Sequence, residues 1–220
     1  MKKILTTGST GDFQKTVENM NEFAGCAQAG KLFRELMFEK IKIFDAQATG
    51  RLTGIFKKIN LESDQKRGYR DINLSIAKQY LIGHELNRYS HLDNCIECEQ
   101  MYFDIDFQSM VFKYLKFNAP MGATHARLFV QEIGFPDFKY NSETKIYEPK
   151  TTSYAGLYEG DYLDISETYL IHKIRTFINY RPFEINRSKI IVVGVEFFQQ
   201  VGEHYYLFQT GNAAKVHSVE

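Results

Sequence analysis

The residues whose types and spacing could support chemistry are concentrated in one short segment. The pattern His91-x-x-x-Cys95-x-x-Cys98 follows His84 by seven residues. Zinc prefers four thiolate or imidazole ligands in a tetrahedron, and a Cys-x-x-Cys turn supplies two sulfurs at a suitable angle. His84, His91, Cys95 and Cys98 are therefore the candidate zinc ligands of this chain.

This metal-site pattern is incomplete, which leaves other interpretations open. A second Cys pair is missing, and the third cysteine, Cys26, is distant in the sequence. A redox-active dithiol is a second interpretation, but no thioredoxin-like βαβ context surrounds Cys95 and Cys98. We favour a third interpretation, two ordinary thiols in a connecting segment. We therefore expect no cofactor, with zinc as the alternative.

Acid–base residues elsewhere do not form a catalytic motif. His125 follows a Gly-Ala-Thr sequence, but no Gly-x-Ser-x-Gly or similar motif supplies a nucleophile. Asp104 and Asp106 lie two residues apart. On an alternating strand, outward-facing carboxylates usually belong to the solvated face. The sequence therefore predicts a protein that is not an enzyme.

The charge distribution argues against a dedicated nucleic-acid binder. Lys plus Arg number 27 and Asp plus Glu number 27, so the net charge is 0. Residues 1–80 carry 14 basic and 9 acidic groups, net +5, and residues 81–220 carry 13 and 18, net −5. The basic cluster around 57–58 and 66–70 is small, and we expect no nucleic-acid partner. Oppositely charged halves favour docking within a chain or head-to-tail association, and an ordinary solvated surface explains them equally well.

The N-terminus lacks the features of a secretory signal. The first three residues, Met-Lys-Lys, precede only Ile-Leu before a Thr-Thr-Gly-Ser-Thr-Gly run. No segment approaches the about 18 apolar residues that a membrane span needs. Three cysteines are too few for a disulfide framework. We expect a cytoplasmic protein, or a component of an assembly built in the cytoplasm.

The N-terminal part of the chain is predicted to be helical. Residues 1–11, rich in Gly, Ser and Thr, are predicted to be a flexible lead, and residues 12–98 a helical region. Apolar residues recur at helical spacing within 32–44 and again within 52–59. This spacing predicts several helices, which would have to position any functional residues in this part of the chain.

The first of these helices has a regular apolar stripe. Phe13, Val17, Met20 and Phe23 are spaced by 4, 3 and 3 residues. This spacing predicts a packing face and leaves open what the face contacts. Gly25 is predicted either to interrupt the helix or, with Ala29 and Gly30, to permit close backbone approach.

The remainder of the chain is predicted to form antiparallel strands. Alternating runs joined by short polar segments begin near residue 100. The strand candidates are 103–107, 110–117, 127–133, 162–165, 169–178, 189–199, 205–209 and 213–219. No βαβ alternation is present, so the predicted fold is α+β, with N-terminal helices packed on a C-terminal antiparallel β-sandwich at 99–220, Ig-like or jelly-roll-like.

Four segments of the chain together resemble a protein family. They are Phe13-x-x-Thr16-x-Glu18-Asn19-x-x-Glu22-Phe23 with Ala29-Gly30-Lys31-Leu32-x-Arg34, Arg51-Leu52-Thr53 with Gln65-Lys66-Arg67-Gly68-x-Arg70, Ala119-Pro120-x-Gly122-Ala123-Thr124-His125-x-Arg127-Leu128, and Val193-Gly194-Val195-Glu196-Phe197-Phe198-Gln199-Gln200-Val201 with Gly211-Asn212-Ala213. In this order they are similar to an uncharacterised bacterial family, a domain of unknown function of similar length. The resemblance implies helices followed by a β-rich region and implies no activity. The N-terminal β-like segment of that family is missing here.

These observations predict a non-enzymatic structural or interaction protein that associates with copies of itself or with a partner in a larger assembly. Glu18, Asn19 and Glu22 are candidate interaction residues on the first helix. The alternative is a β-sandwich module that binds a glycan or peptide through loops carrying the tyrosines Tyr140, Tyr147, Tyr154 and Tyr158. A small zinc-binding or nucleic-acid-contacting protein is the third hypothesis.

Overall fold

The computed structural model describes residues 10–104, 106–176 and 185–220. Within these ranges the helices are α1 (Thr10–Leu36), α2 (Ala48–Leu61), α3 (Leu74–Ala77) and α4 (Leu92–Cys95), with 3-10 helices at Phe38–Ile43 and Lys78–Tyr80. The strands are β1 (Ile96–Glu97), β2 (Gln100–Asp104), β3 (Ser109–Phe117), β4 (His125–Pro136), β5 (Phe138–Asn141), β6 (Ile146–Pro149), β7 (Tyr154–Glu159), β8 (Leu163–Asp164), β9 (Tyr169–Arg175), β10 (Arg187–Val201), β11 (His204–Leu207) and β12 (Ala213–Val219). All the strand pairs are antiparallel, so the α+β class is confirmed.

The first helix is longer than the sequence predicts. α1 spans 27 residues and passes through Gly25 without a break, so the predicted interruption is wrong. A Cβ atom at Gly25 would lie 2.3 Å from Cγ of Tyr147. The glycine therefore permits close approach to that ring. The helix begins at Thr10, inside the predicted lead, and residues 1–9 lie outside the described residues. In the described part of the chain, no helix combines the length and the apolarity that crossing a membrane requires.

A large antiparallel sheet is built around β4 and β10. Their register runs without a shift from Arg187 opposite Pro136 to Phe198 opposite His125. The strand order is β11-β10-β4-β7, with β12 also paired to β10 and β8 also paired to β4. Burial along β4 and β10 is almost continuous, which is typical of strands covered on both faces.

The two faces of this large sheet contribute to two different hydrophobic cores. Phe129 and Phe135 of β4 pack with Phe33 of α1 and Phe56 of α2, and the Phe56 and Phe135 rings stack with centroids 5.2 Å apart. Leu128, the neighbour of Phe129, belongs to the second core instead. Because successive side chains on a strand point to opposite faces, the large sheet separates a helix layer from a second sheet.

That second, smaller sheet has β3 at its centre. β1 and β2 pair with one edge of β3, and β9 pairs with the other. The predicted hairpin is confirmed, because Asp104 of β2 pairs with Ser109 of β3 across the turn. Met110, Phe112 and Ile174 face the second core.

One part of the β-region differs from the prediction. Residues 138–159, expected to be tyrosine-bearing loops, contain β5, β6 and β7. β5 and β6 form a separate two-stranded sheet, and β7 pairs with β4. Polar residues interrupt the alternation in these strands, so periodicity alone did not reveal them. Residues 177 and 178, at the end of one predicted strand, lie outside the described residues.

Candidate functional site

An exposed apolar face runs along the N-terminal half of α1. Phe13, Val17, Met20 and Phe23, here called the α1 stripe, are 73%, 39%, 65% and 56% exposed. The sequence predicts that these residues form a packing face, and within the described residues the chain leaves that face largely uncovered. Large apolar side chains in a row on one helix face mark an interaction surface more often than a single exposed residue does.

The buried face of α1 lies on the opposite side of the helix. Glu22, Cys26, Ala29 and Phe33 are each fully buried. At 3.6 residues per turn, the centre of this set is about half a turn around the axis from the α1 stripe. Helical spacing is the same on both faces, so tertiary packing decides which of the two enters the core.

Glu22 is a buried carboxylate that holds α1 against the segment following α2. Its Oε1 accepts a hydrogen bond of 2.7 Å from the backbone N–H of Gly68, and its Oε2 accepts one from Nζ of Lys57. A guanidinium nitrogen of Arg70 lies 3.8 Å from the same Oε2. Burying a carboxylate is costly unless it is paired and hydrogen-bonded, and here both oxygens have partners within the chain.

The other two candidate interaction residues on α1 lie beside this anchor. Glu18 accepts a 3.1 Å hydrogen bond from the amide of Gln14 and packs against Gly68. A Cβ atom at Gly68, whose φ is +88°, would meet Cγ of Glu18 at 2.8 Å. Asn19 is exposed. Only Asn19 of the three is thus displayed chiefly to solvent, while Glu22 contributes to packing within the chain.

Two ionisable groups next to the anchor are held in their neutral forms. Burial raises the pKa of the Cys26 thiol to about 12, against a lowering effect from Lys57. Burial also raises the pKa of the Tyr147 phenol, whose hydroxyl donates a 2.9 Å hydrogen bond to the carbonyl of Arg70. A thiol with a raised pKa is a poor nucleophile, so this cluster has the chemistry of a packing contact.

The predicted zinc ligands have other partners in the structure. The Cys98 thiol donates to the carbonyls of Gln100 at 2.9 Å and Lys113 at 3.3 Å. Cys95 Sγ lies 3.4 Å from the hydroxyl of Ser90. In the described ranges, no group of three or more His, Cys, Asp or Glu residues is arranged to hold a metal ion.

The two histidines of that set have environments of their own. Nε2 of His91 lies 3.1 Å from the carbonyl of Arg88. Burial lowers the pKa of His84 to about 4, which keeps its imidazole neutral near pH 7. Burial raises the pKa values of Cys95 and Cys98 above the usual thiol range. These pKa shifts keep the His84 imidazole and the two thiols in their neutral forms.

The four tyrosines proposed for ligand binding do not share one surface. Tyr147 is 2% exposed and belongs to the helix-facing core. The Tyr140 ring contacts the Tyr147 ring, with centroids 5.5 Å apart. On β7, the Tyr154 hydroxyl donates to Glu132 at 3.0 Å, and Tyr158 packs against the second core. The four side chains serve at least two separate packing contacts.

The remaining acid–base candidates also have structural contacts. His125 Nδ1 lies 3.0 Å from the Thr124 hydroxyl, and its ring packs edge-on against Tyr205. Asp104 accepts a 3.3 Å hydrogen bond from the N–H of Phe107 in the β2–β3 turn. Asp106 is exposed in the same turn.

A network of four charges, of which Lys40 and Glu196 are buried, is the feature that sequence reasoning missed. Lys40 is 3% exposed and its Nζ lies 2.5 Å from Glu159 and 2.7 Å from Glu196. Arg127 contacts the same two carboxylates at 2.7 and 3.1 Å. Two cations and two anions balance, so the network fastens the 3-10 helix that follows α1 to the large sheet. The sequence signal that could have indicated this network is Glu196, a charged residue within an otherwise apolar stretch of β10.

Comparison with protein-family models, with curated proteins and with solved structures gave no match. The functional conclusion therefore depends on the geometry of the chain itself, and within the described ranges the α1 stripe is an apolar helix face that the chain leaves exposed.

Proposed function

We propose that this is a non-enzymatic structural or interaction protein that associates with copies of itself through the α1 stripe. The single observation that carries the proposal is the exposure of Phe13, Val17, Met20 and Phe23 on one helix face. Two further observations support it. The net charge of the chain is 0, and the C-terminal half of α1 is packed into the hydrophobic core.

The energetics of an exposed helix support a partner for this segment. Phe13, Val17 and Met20 of α1 are exposed, so the apolar side chains of the first turns gain little from packing within the chain. Isolated helices shorter than about 12–15 residues are marginal in water, because most helical stability in proteins comes from a packed apolar face. A second copy that covers the stripe would supply that packing.

The size and charge of the surface favour association between identical copies. With about 200 Å² for a large side chain, the four residues expose roughly 450 Å² of apolar surface, which matches the largest patch on a typical monomer. A net charge of 0 means that no long-range repulsion separates two copies.

Sedimentation velocity on the intact chain at rising concentration tests this function. We expect the wild-type chain to associate and the double variant Met20→Glu, Phe23→Glu to be monomeric. Burying each side chain contributes about 1.5–3 kcal/mol, so the association constant should fall at least about 100-fold. Gln28→Glu is the matched control, because Gln28 is exposed on the same helix beyond the stripe. A wild-type chain that stays monomeric at high micromolar concentration would contradict the proposal.

The finer predictions belong to the same proposal. An Ig-like or jelly-roll-like sandwich is supported by the two antiparallel sheets that share one core, and a cytoplasmic setting is supported by three free thiols. The glycan- or peptide-binding alternative has less support, because its tyrosines do not converge.

A further inference from the structure

The exposed apolar line of α1 continues by one small residue beyond Met20. Ala24 is exposed and lies four residues after Met20. Phe13, Val17, Met20 and Ala24, here called the α1 seam, are therefore spaced by 4, 3 and 4 residues. These are the spacings of the residues that meet in a pair of helices. At about 100° per residue, the four side chains lie within about 60° of one another around the helix axis.

The α1 seam is large at one end and small at the other, since it begins with Phe13 and ends with Ala24. Two seams can run antiparallel with Val17 of one copy opposite Met20 of the other. Phe13 then lies opposite Ala24 at both ends, because each of these residues is four positions further along its own helix. Large side chains that face small ones fill the space between helices without overlap. A parallel pair in register would instead bring two phenylalanines together at one end and two alanines at the other.

The charged residues between positions 13 and 24 lie on the other side of α1. They are Lys15, Glu18 and Glu22, and the helical repeat places each of them at least about 120° from the centre of the seam. The side chains that flank one side of the seam, Gln14 and Asn21, are neutral amides. Charges beside the apolar line decide which helices can pair, so two copies of this seam meet without like charges facing each other.

The exposed half of α1 lies where a second helix can reach it. Cys26, Ala29 and Phe33 hold the C-terminal half in the helix-facing core, whereas Phe13 and Met20 are 73% and 65% exposed. In the antiparallel arrangement the two seams overlap only over residues 13–24, and the packed C-terminal halves extend in opposite directions. The contact therefore forms without opening either core.

We propose that two copies pair through their α1 seams, antiparallel and about a two-fold axis, to form a closed dimer. This inference rests on the proposed self-association through the stripe and names the surface that the stripe meets. The stripe residues of two copies would bury roughly 900 Å² of apolar surface. Ala24 and the flanking amides bring the total to the about 1,000 Å² that a specific interface needs. Because the same surface is used on both copies, the contact ends at two.

Exchanging the large and small ends of the seam tests this pairing on the intact chain. Phe13→Ala leaves two alanines opposite each other, and Ala24→Phe leaves two phenylalanines. The double variant Phe13→Ala, Ala24→Phe restores a large side chain opposite a small one at both ends. Positions 13 and 24 are about 16 Å apart along one helix, and changes at that distance within one chain add independently. Recovery in the double variant therefore reports contact between two copies.

We expect sedimentation velocity to show a wild-type chain that stops at the dimer as concentration rises. Each single variant should associate at least about 10-fold more weakly, because of lost burial or overpacking, and the double variant should return to within about 3-fold of wild type. The matched control is Phe13→Ala, Ala46→Phe, which adds the same ring at an exposed position in the turn before α2. This control should stay as weak as Phe13→Ala. Circular dichroism checks that every variant keeps its fold.

The other outcomes separate this inference from the proposed function. Additive losses in the double variant, or recovery in the control as well, would show that the stripe meets a different surface, and only the antiparallel pairing is then overturned. A wild-type series that continues beyond the dimer has the same consequence. If the variant Met20→Glu, Phe23→Glu still associates, or the wild-type chain remains monomeric, the proposed function and the inference both fail.

Discussion

The two halves of α1 present the same apolar periodicity to opposite environments. In the C-terminal half, Cys26, Ala29 and Phe33 are enclosed by α2 and the large sheet. In the N-terminal half, Phe13 and Met20 are exposed and the buried position is taken by Glu22. A single continuous helix therefore serves as core in one half and as free surface in the other.

This difference shows that the apolar spacing of a helix identifies a hydrophobic face without identifying what that face contacts. Burial of Glu22 is possible because Lys57, Gly68 and Arg70 satisfy its charge and lone pairs. Such an anchor fixes which face of α1 turns inward, and the apolar face at the same level stays exposed.

The largest expected contrast comes from truncating one phenylalanine in each half. Phe33→Ala should lower the free energy of unfolding by about 3–5 kcal/mol, because Phe33 is fully buried against Phe135. Phe23→Ala should change it by less than about 0.5 kcal/mol in dilute protein, where the stripe is uncovered. Urea denaturation measures both values. Equal losses for the two variants would show that the halves do not differ as described.

Removing the charge of Glu22 should have the next largest effect. Glu22→Gln leaves Lys57 and Arg70 without their shared anion and should cost about 2–3 kcal/mol, reduced from a fully buried pair because both cations are partly exposed. Lys57→Met in the same chain should recover part of this loss. A double-mutant cycle by urea denaturation measures the coupling, and a coupling energy near zero would contradict the anchor.

Two glycine substitutions test the close packing at the junction of the halves. Gly25→Ala should cost about 1–3 kcal/mol, because the new methyl group meets the Tyr147 ring. Gly54→Ala is the matched control in α2, where a Cβ atom would find nothing within 4 Å. That control should stabilise the protein by about 0.5–1 kcal/mol. Thermal unfolding distinguishes the two signs, and a stabilising Gly25→Ala would argue against the contact.

The smallest expected effect is a pH dependence that reports on the buried half. Burial raises the pKa of Cys26 from its usual value of 9.0 to about 12, so the folded state keeps the thiol proton to higher pH. The stability that this protonated thiol contributes is fully present below the pKa of the unfolded state. It is lost as the pH rises towards the pKa of the folded state. From pH 9 to 10 this amounts to about 1 kcal/mol.

The Cys26→Ala variant isolates this contribution from those of the other two thiols. Denaturation at pH 8, 9 and 10 should show a shallower decline for the variant than for the wild-type chain. Parallel declines would mean that Cys26 is not protected in the folded state.

Local pattern predicted much of the β-region because its strands alternate or run continuously apolar. The last strand, Ala213–Val219, has the predicted bounds, and the hairpin from β2 to β3 is correctly placed. β5 to β7 were missed because polar residues interrupt their alternation. The inward face of α1 was not predicted, for a different reason. Glu22 enters the core only because residues 57 to 70 reach it, and this long-range contact leaves no trace in the spacing of the stripe.

The pairing of β4 with β10 has a consequence for how the protein folds. The nearest registered pair, Pro136 with Arg187, is separated by residues 137–186, which include β9 of the small sheet. Closing a loop of about fifty residues costs roughly 3–4 kcal/mol of chain entropy before the ladder contributes any stability. Since β9 lies inside that loop, the small sheet and the large sheet should be completed together, in a slow and cooperative step typical of long-range strand pairing.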